Sequence, residues 1–478
     1  MDMSKHILLV LILVPFLGFL FSLMSKEGTK NSVHNVISVS LCSIITNILI
    51  LFYIFTYMSP SKNSMQLLSS YRWIDKPLIE FVFGIDIFSL MIILAIHLML
   101  VISILFVQKT NQPKLISSLS LLMLCMFTGL LLSADIFSFY IFFTGILIPL
   151  FLLIGTAGEI RKQSWMFRFF IYNFIGGIIL FLVICALYHY QATNQVILLK
   201  NVAKIRLSHP YEYWIWGGIF IALLSRIPIW PFHYWIASIN SSIQNPLVFL
   251  SVNLIPFTGV YGLVRFCPKA VPESVSYLLS ILEIVAVISM LFIAMIGLIN
   301  KDSRYKLFSF ITVYYIVFLL GALLPTGRIM FNIGYSLFAF LIIITVLEVL
   351  SSYIHQEQQL HKLNQHGILC KAPRIAFLYS FFTLAAVGFP LSALFINNFV
   401  ILSYLFSYNF NLSIVIMLAI VISSSSLLKE LYILKDNQYI HPNSECMQDI
   451  SPVAFYGLTV VIILLLISFF NPLLVLGA

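Results

Sequence analysis

The chain has 478 residues, 61% of them hydrophobic and only 9% charged, with a formal net charge of +9. Soluble domains carry about 25% charged residues, so this composition excludes a water-soluble shell. Lys and Arg are scattered over many loops rather than gathered with aromatics into one stripe, which argues against a nucleic-acid partner, and six widely separated cysteines without CxxC or Cys/His ligand spacing point to neither a metal nor an iron–sulfur cluster.

The apolar residues fall in runs of roughly 18 to 25, the length that spans a bilayer at about 1.5 Å per residue. In chain order the predicted transmembrane helices are 6–24, 34–58, 82–107, 115–133, 135–156, 167–190, 212–232, 245–266, 276–299, 306–325, 329–353, 375–405, 411–432 and 452–475. The expected fold class is all-α, a polytopic membrane protein of about 14 helices forming a single transmembrane domain over 1–478. The first run lacks a small-x-small cleavage site and is followed by Lys26 and Lys30, so it reads as a retained span. Alternate loops beginning with 25–33 hold the larger share of Lys and Arg; the positive-inside rule puts them in the cytoplasm and both termini on the opposite side.

Two of these helices are interrupted by proline, at Pro228 and Pro231 and at Gly388-Phe389-Pro390. Proline removes a donor and frees a carbonyl that hydrocarbon does not satisfy, so such breaks lie against protein or a wet cavity. Paired breaks in two halves of a transporter point to inverted repeats and a path at the midplane; a pair of ordinary kinks is the alternative. The repeats would be 115–266 and 276–432. Glu283 and Glu348 are the two acids expected well inside a span, where a charge must be paired or neutralised. His233 beside the first break either titrates in contact with water or donates to a freed carbonyl. Asp86 and Asp135 are expected at helix starts, accepting from N-terminal amides.

Several stretches carry a family resemblance. Ser225-Arg226-Ile227-Pro228-Ile229-Trp230-Pro231-Phe232-His233-Tyr234-Trp235, continuing to Tyr261-Gly262-Leu263-Val264-Arg265-Phe266, resembles K-x-P-x-x-P-x-H-x-W followed by Y-G-x-x-R-F. Gly84 to Leu90 resembles G-x-D-G-x-S-L, Asp135 to Thr144 resembles D-L-x-x-F-Y-x-F-x-E, and Gly388 to Phe399 resembles G-x-P-G-x-x-G-F-x-x-E-F. These are motifs of the antiporter-like, proton-conducting membrane subunits of NADH-quinone oxidoreductase and of multisubunit cation/proton antiporters, and the match is nearest to the M-subunit (chain 4) branch. The resemblance implies a membrane-embedded subunit without a redox cofactor, which carries protons along a central line of ionisable side chains and works with other membrane subunits.

At the positions where that line is expected, this chain differs. Thr144 stands where the family has Glu, Arg226 and Phe257 where it has Lys, and Asn398 where it has a terminal Glu; Tyr315 and Ile333 stand where histidines are expected. Thr144 is expected to bond back to the carbonyl of Tyr140. Arg226, whose guanidinium stays protonated, is expected to bind carbonyls freed by Pro228 and Pro231 or to pair with an acid. Phe257 is expected to pack, and Asn398 to hydrogen-bond a water or a helix. Any surviving polar path would use His233, Glu283 and Glu348.

The expected function is therefore a membrane-arm subunit, or paralogue, of a proton-translocating NADH-quinone oxidoreductase with its own relay impaired or lost. It would be non-catalytic, in a bacterial inner membrane, in contact with lipid and with protons or monovalent cations. A subunit of a cation/proton antiporter, and a non-transporting scaffold or coupling subunit of another uptake complex, are the alternatives.

Overall fold

Long uninterrupted apolar stretches satisfy every backbone group internally only as helices when water is absent. The computed structural model is accordingly helical. It describes residues 3–25, 30–59, 64–75, 77–105, 112–156, 163–190, 196–205, 209–233, 235, 243, 245–266, 276–324, 329–361, 367–390, 392–436 and 448–470. Among these, eleven helices are long and apolar enough to cross a membrane, with four shorter apolar helices besides. The chain is a multi-pass membrane protein. The described residues form two compact units, Met1–Ala286 with Phe318–Met330, and Val287–Val317 with Phe331–Ala478.

The first unit begins with α1 (Met3–Met24) and α2 (Lys30–Tyr57), then a hairpin of β1 (Gln66–Ile74) and β2 (Ile79–Ile85), then α3 (Ile87–Ile104) and α4 (Pro113–Leu132). The hairpin corrects the expected span at 82–107: residues 79–85 alternate poorly as a helix, and the third helix starts only at Ile87, capped by Asp86. The expected span 135–156 is divided into α5 (Ile136–Gly145) and α6 (Leu147–Thr156), followed by α7 (Gln163–Tyr190) and α8 (His209–Leu224). The span expected to reach residue 232 stops at Leu224, because the pyrrolidine rings of Pro228 and Pro231 cannot continue it. The chain resumes as α9 (Pro246–Asn253) and α10 (Ile255–Phe266), capped by Asn245, whose Oδ1 accepts from the amides of Leu247 and Val248. Residues 236–242 and 244, which precede α9, lie outside the described residues.

Burial ranks these helices. The 246–266 stretch is wholly buried and α4 is 83% buried, whereas α1 is only 33% buried and α7 39%. Close packing is visible at Gly259, where an added Cβ would stand 2.5 Å from the backbone oxygen of Leu223, so α10 crosses the end of α8 without an intervening side chain. Asp135 ties hairpin to bundle. Its carboxylate accepts from the amides of Val82, Phe137 and Ser138 and from the Ser138 hydroxyl, satisfying a fully buried charge with four donors.

α11 (Ser276–Ile299) leads into the second unit, which contains α12 (Ser303–Leu323) up to Val317, α13 (Ile329–His361) from Phe331, α14 (Pro373–Val387), α15 (Ala393–Tyr408), α16 (Phe410–Lys435) and α17 (Pro452–Phe470). The expected single span 375–405 is two helices. α14 ends at Gly388, whose φ of +85° is the left-handed C-terminal cap that a Cβ disfavours, and α15 restarts with Ser392 accepting from the Phe395 amide. α13 runs eight residues past the expected end at 353, carrying a polar last turn. α12 and α13 are the buried helices here, with α14 packed on α16 and α17.

Candidate functional site

In the first unit, Arg226 binds the backbone of Phe143, the residue that precedes Thr144 in α5. The Thr144 hydroxyl donates to the Tyr140 carbonyl at 2.8 Å, within its own helix, while its methyl group faces Gly177 of α7. Arg226 is fully buried where α8 gives out, and its Nη2 donates to the Phe143 carbonyl at 2.8 Å with the guanidinium 4.1 Å from the Phe143 ring centre. This corrects the expectation for Arg226: it holds a carbonyl of α5 rather than those freed by the prolines. No described acid lies within ion-pairing distance, and its Nε and Nη1 find no hydrogen-bond acceptor. His233 is half-buried just beyond Pro231, past a cis Trp230–Pro231 bond.

Phe257 is fully buried, 5.9 Å ring to ring from Tyr261, and thus part of the packing around a second arrangement. There Arg265 Nη1 and Nη2 bind the two carboxylate oxygens of Asp86 at 2.6 and 2.8 Å, Nη2 also reaches Ser89 Oγ, and Nε donates to Tyr261 Oη at 2.9 Å. Tyr261 in turn donates to the Leu131 carbonyl at 2.8 Å, and its ring lies parallel to Phe88. Asp86 keeps its expected capping bond to the Ser89 amide. Two sequence motifs far apart in the chain thus meet as one buried, fully hydrogen-bonded ion pair that joins α3 to α10.

In the second unit, Asn398 bridges the break at residue 388. Its Nδ2 donates to Tyr314 Oη at 3.0 Å, and Tyr314 donates to the Ala386 carbonyl at 3.3 Å, one of the last carbonyls of α14. The Asn398 Oδ1 has no partner. Pro390 lies in the intervening turn. Tyr314, not Tyr315, is therefore the α12 residue in contact with the 398 position; Tyr315 and Ile333 are both buried core.

Glu348 is fully buried on α13, accepting from Ser352 Oγ at 2.8 Å and Ser351 Oγ at 3.4 Å. Glu283 on α11 is only half-buried. The structure adds an acid the sequence reading missed: Glu430 on α16 is buried and ion-paired with Lys306 at the start of α12. Both stand near the ends of the expected spans 306–325 and 411–432, where charge is unremarkable. The available signal was the apolar Leu431-Tyr432-Ile433-Leu434, which carries α16 past Glu430 to Lys435.

Comparison with known proteins agrees with this architecture. Residues 133–423 match the family described as NADH:quinone oxidoreductase/Mrp antiporter, TM. NADH-quinone oxidoreductase subunit M of Rickettsia prowazekii is 23% identical over 435 residues, covering 88% of this chain and 87% of that protein. NADH-ubiquinone oxidoreductase chain 4 of Metridium senile is 26% identical over 362 residues, covering 73% and 72%. A chain of respiratory complex I from Thermus thermophilus with bound NADH superposes with a TM-score of 0.84 at 19% identity, covering 98% of each. A chain of the membrane-bound sulfane sulfur reductase, an archaeal respiratory membrane complex, superposes at 0.79 and 14% identity, over 97% of this chain and 76% of that one. The family match covers well over half the chain, and with the helix order and breaks already described it means that this protein belongs to the NADH:quinone oxidoreductase/Mrp antiporter transmembrane family, on the side of the M-type subunits.

Proposed function

We propose that this chain is a membrane-arm subunit, or paralogue, of an NADH-quinone oxidoreductase, whose own central proton relay is impaired or lost. It would work without a cofactor, beside other membrane subunits in a bacterial inner membrane, with both termini on the non-cytoplasmic side and with 115–266 and 276–432 as inverted repeats. The names of the relatives support the complex. The observation that carries the loss of relay is the chemistry at four positions: Thr144 bonds its own helix, Arg226 is pinned on Phe143, Phe257 packs, and Asn398 binds Tyr314. A relay needs groups that take up and release a proton near neutrality, as Lys and Glu do when burial and neighbours shift them. None of these four does.

The test is proton movement by the tag-purified assembly in proteoliposomes. Peripheral flavin and iron–sulfur chains that co-purify support the oxidoreductase, and small antiporter chains in their place overturn it. Arg226→Ala should leave proton movement at the wild-type level in an intact assembly; its abolition would show that Arg226 works in the path.

A further inference from the structure

α13 carries a polar line on one face of an otherwise apolar helix. Glu348, Ser351, Ser352, His355 and Gln358 stand at i, i+3, i+4, i+7 and i+10, the spacing that keeps side chains on one side. Ten residues span about 15 Å, roughly half the hydrocarbon thickness. The line therefore runs from a helix end to the depth of a buried carboxyl group.

The line borders a small, partly open cleft walled by Ser303, Ser351, His355, Gln358, Tyr379 and Glu430. Its enclosed space is about that of a single water, which would meet several polar partners there. His355 Nε2 and Ser303 Oγ are 2.5 Å apart, and Ser351, which lines the cleft, also reaches Glu348. The Ser351 hydroxyl thus connects the cleft to the Glu348 carboxyl group, to which the Ser352 hydroxyl also donates.

The surrounding charges decide the occupant. Asp302, Arg304 and Lys306 face the cluster from α12 and the residue before it, Tyr379 from α14, and Glu430 from α16, with Glu357 further along α13. Glu430 is matched by Lys306, and the charge of Arg304 acts on Glu348. Lys306 already balances Glu430, and a metal cation would find hydroxyls but, among the described residues, no dedicated shell of carboxylate and carbonyl oxygens. A proton needs neither.

We propose that this cleft is a proton-loading site, at which His355 exchanges protons with water and Glu348 receives them through Ser351 and Ser352. The site uses none of the four substituted relay positions and deepens the proposed function: it rests on that reading for its dead end, because the 398 position of the same unit is an Asn that holds no proton. Loading then does not amount to crossing.

The experiment is infrared pH-difference spectroscopy on the full chain in lipid nanodiscs, which does not depend on the complex it joins. A protonated carboxylic-acid stretch that grows on acidification is expected, is lost in Glu348→Gln and is kept in Glu283→Gln. In His355→Leu the hydrogen–deuterium exchange of that stretch slows tenfold or more. Should Glu348→Gln fail to fold, Glu348→Asp is expected to shift the stretch in frequency. A stretch unchanged by both Glu348 variants, exchange at the wild-type rate in His355→Leu, or a response to sodium at fixed pH as large as that to acid would each overturn the site. Proteoliposome pumping separately tests the impaired relay.

Discussion

Asp86 and Arg265 stand 179 residues apart in the chain and lock together through two charge-assisted hydrogen bonds of 2.6 and 2.8 Å in the buried interior of the first unit. Removing one partner leaves an uncompensated buried charge, which costs about 3–5 kcal/mol. Asp86→Asn and Arg265→Gln are each expected to lower the thermal midpoint in nanodiscs strongly. The double variant should lose much less than the sum, as a double-mutant cycle reads directly.

Lys306 and Glu430 form the corresponding pair of the second unit, with fewer supporting bonds. Lys306→Met strands a carboxylate and should destabilise by about 3–5 kcal/mol. Replacing both residues by Met should recover most of that loss, since well-packed apolar side chains often replace a buried pair neutrally or favourably. Thermal unfolding of the three variants measures this, and a double variant as unstable as the single one contradicts it.

Arg226 presents the opposite case, a buried guanidinium with one backbone acceptor and two unmatched nitrogens. Its desolvation is only partly offset by the Phe143 carbonyl and ring. Arg226→Met is therefore expected to be neutral or to stabilise by roughly 1–2 kcal/mol, read as an equal or higher midpoint. A loss of stability above about 2 kcal/mol would reveal an acceptor for those nitrogens.

Thr144→Val keeps the methyl that faces Gly177 and removes only a hydroxyl bonded within its own turn. The effect on stability should stay within about 0.5 kcal/mol, and proton movement by the assembly should not change. A Thr144→Val variant that slows proton movement would place a water-bearing path at this residue.

Gly388 adopts φ +85°, where an L side chain is strained. Gly388→Ala should cost about 1–2 kcal/mol and loosen the Asn398–Tyr314–Ala386 bridge, which ultraviolet Raman of the tyrosine ring would report. Unchanged stability would mean that the helix end refolds without its left-handed cap.

Much of this protein was legible in the amino-acid order. Hydrocarbon permits only helices for long apolar runs, so composition and run length sufficed for a multi-pass bundle. Pro228, Pro231 and Gly388 announced both helix breaks, because a missing donor and a left-handed turn are local properties of those residues. Local, too, were the caps at Asp86 and Asp135 and the return bond of Thr144, each made within one turn.

Tertiary structure decided whatever depended on a distant partner. The end of β2 was read into a helical span because an apolar run reads alike as helix or strand until something, here β1, pairs with it. Asp86 was visible as a cap but not as the counter-ion of Arg265, and Arg226 was visible as a trapped charge but not as the ligand of Phe143. Lys306 and Glu430, read as residues near helix ends, became a buried pair only when α12 and α16 were packed together. Hydropathy along one chain records whether a segment enters the membrane; which charges meet there is set by packing between helices that sequence distance does not express.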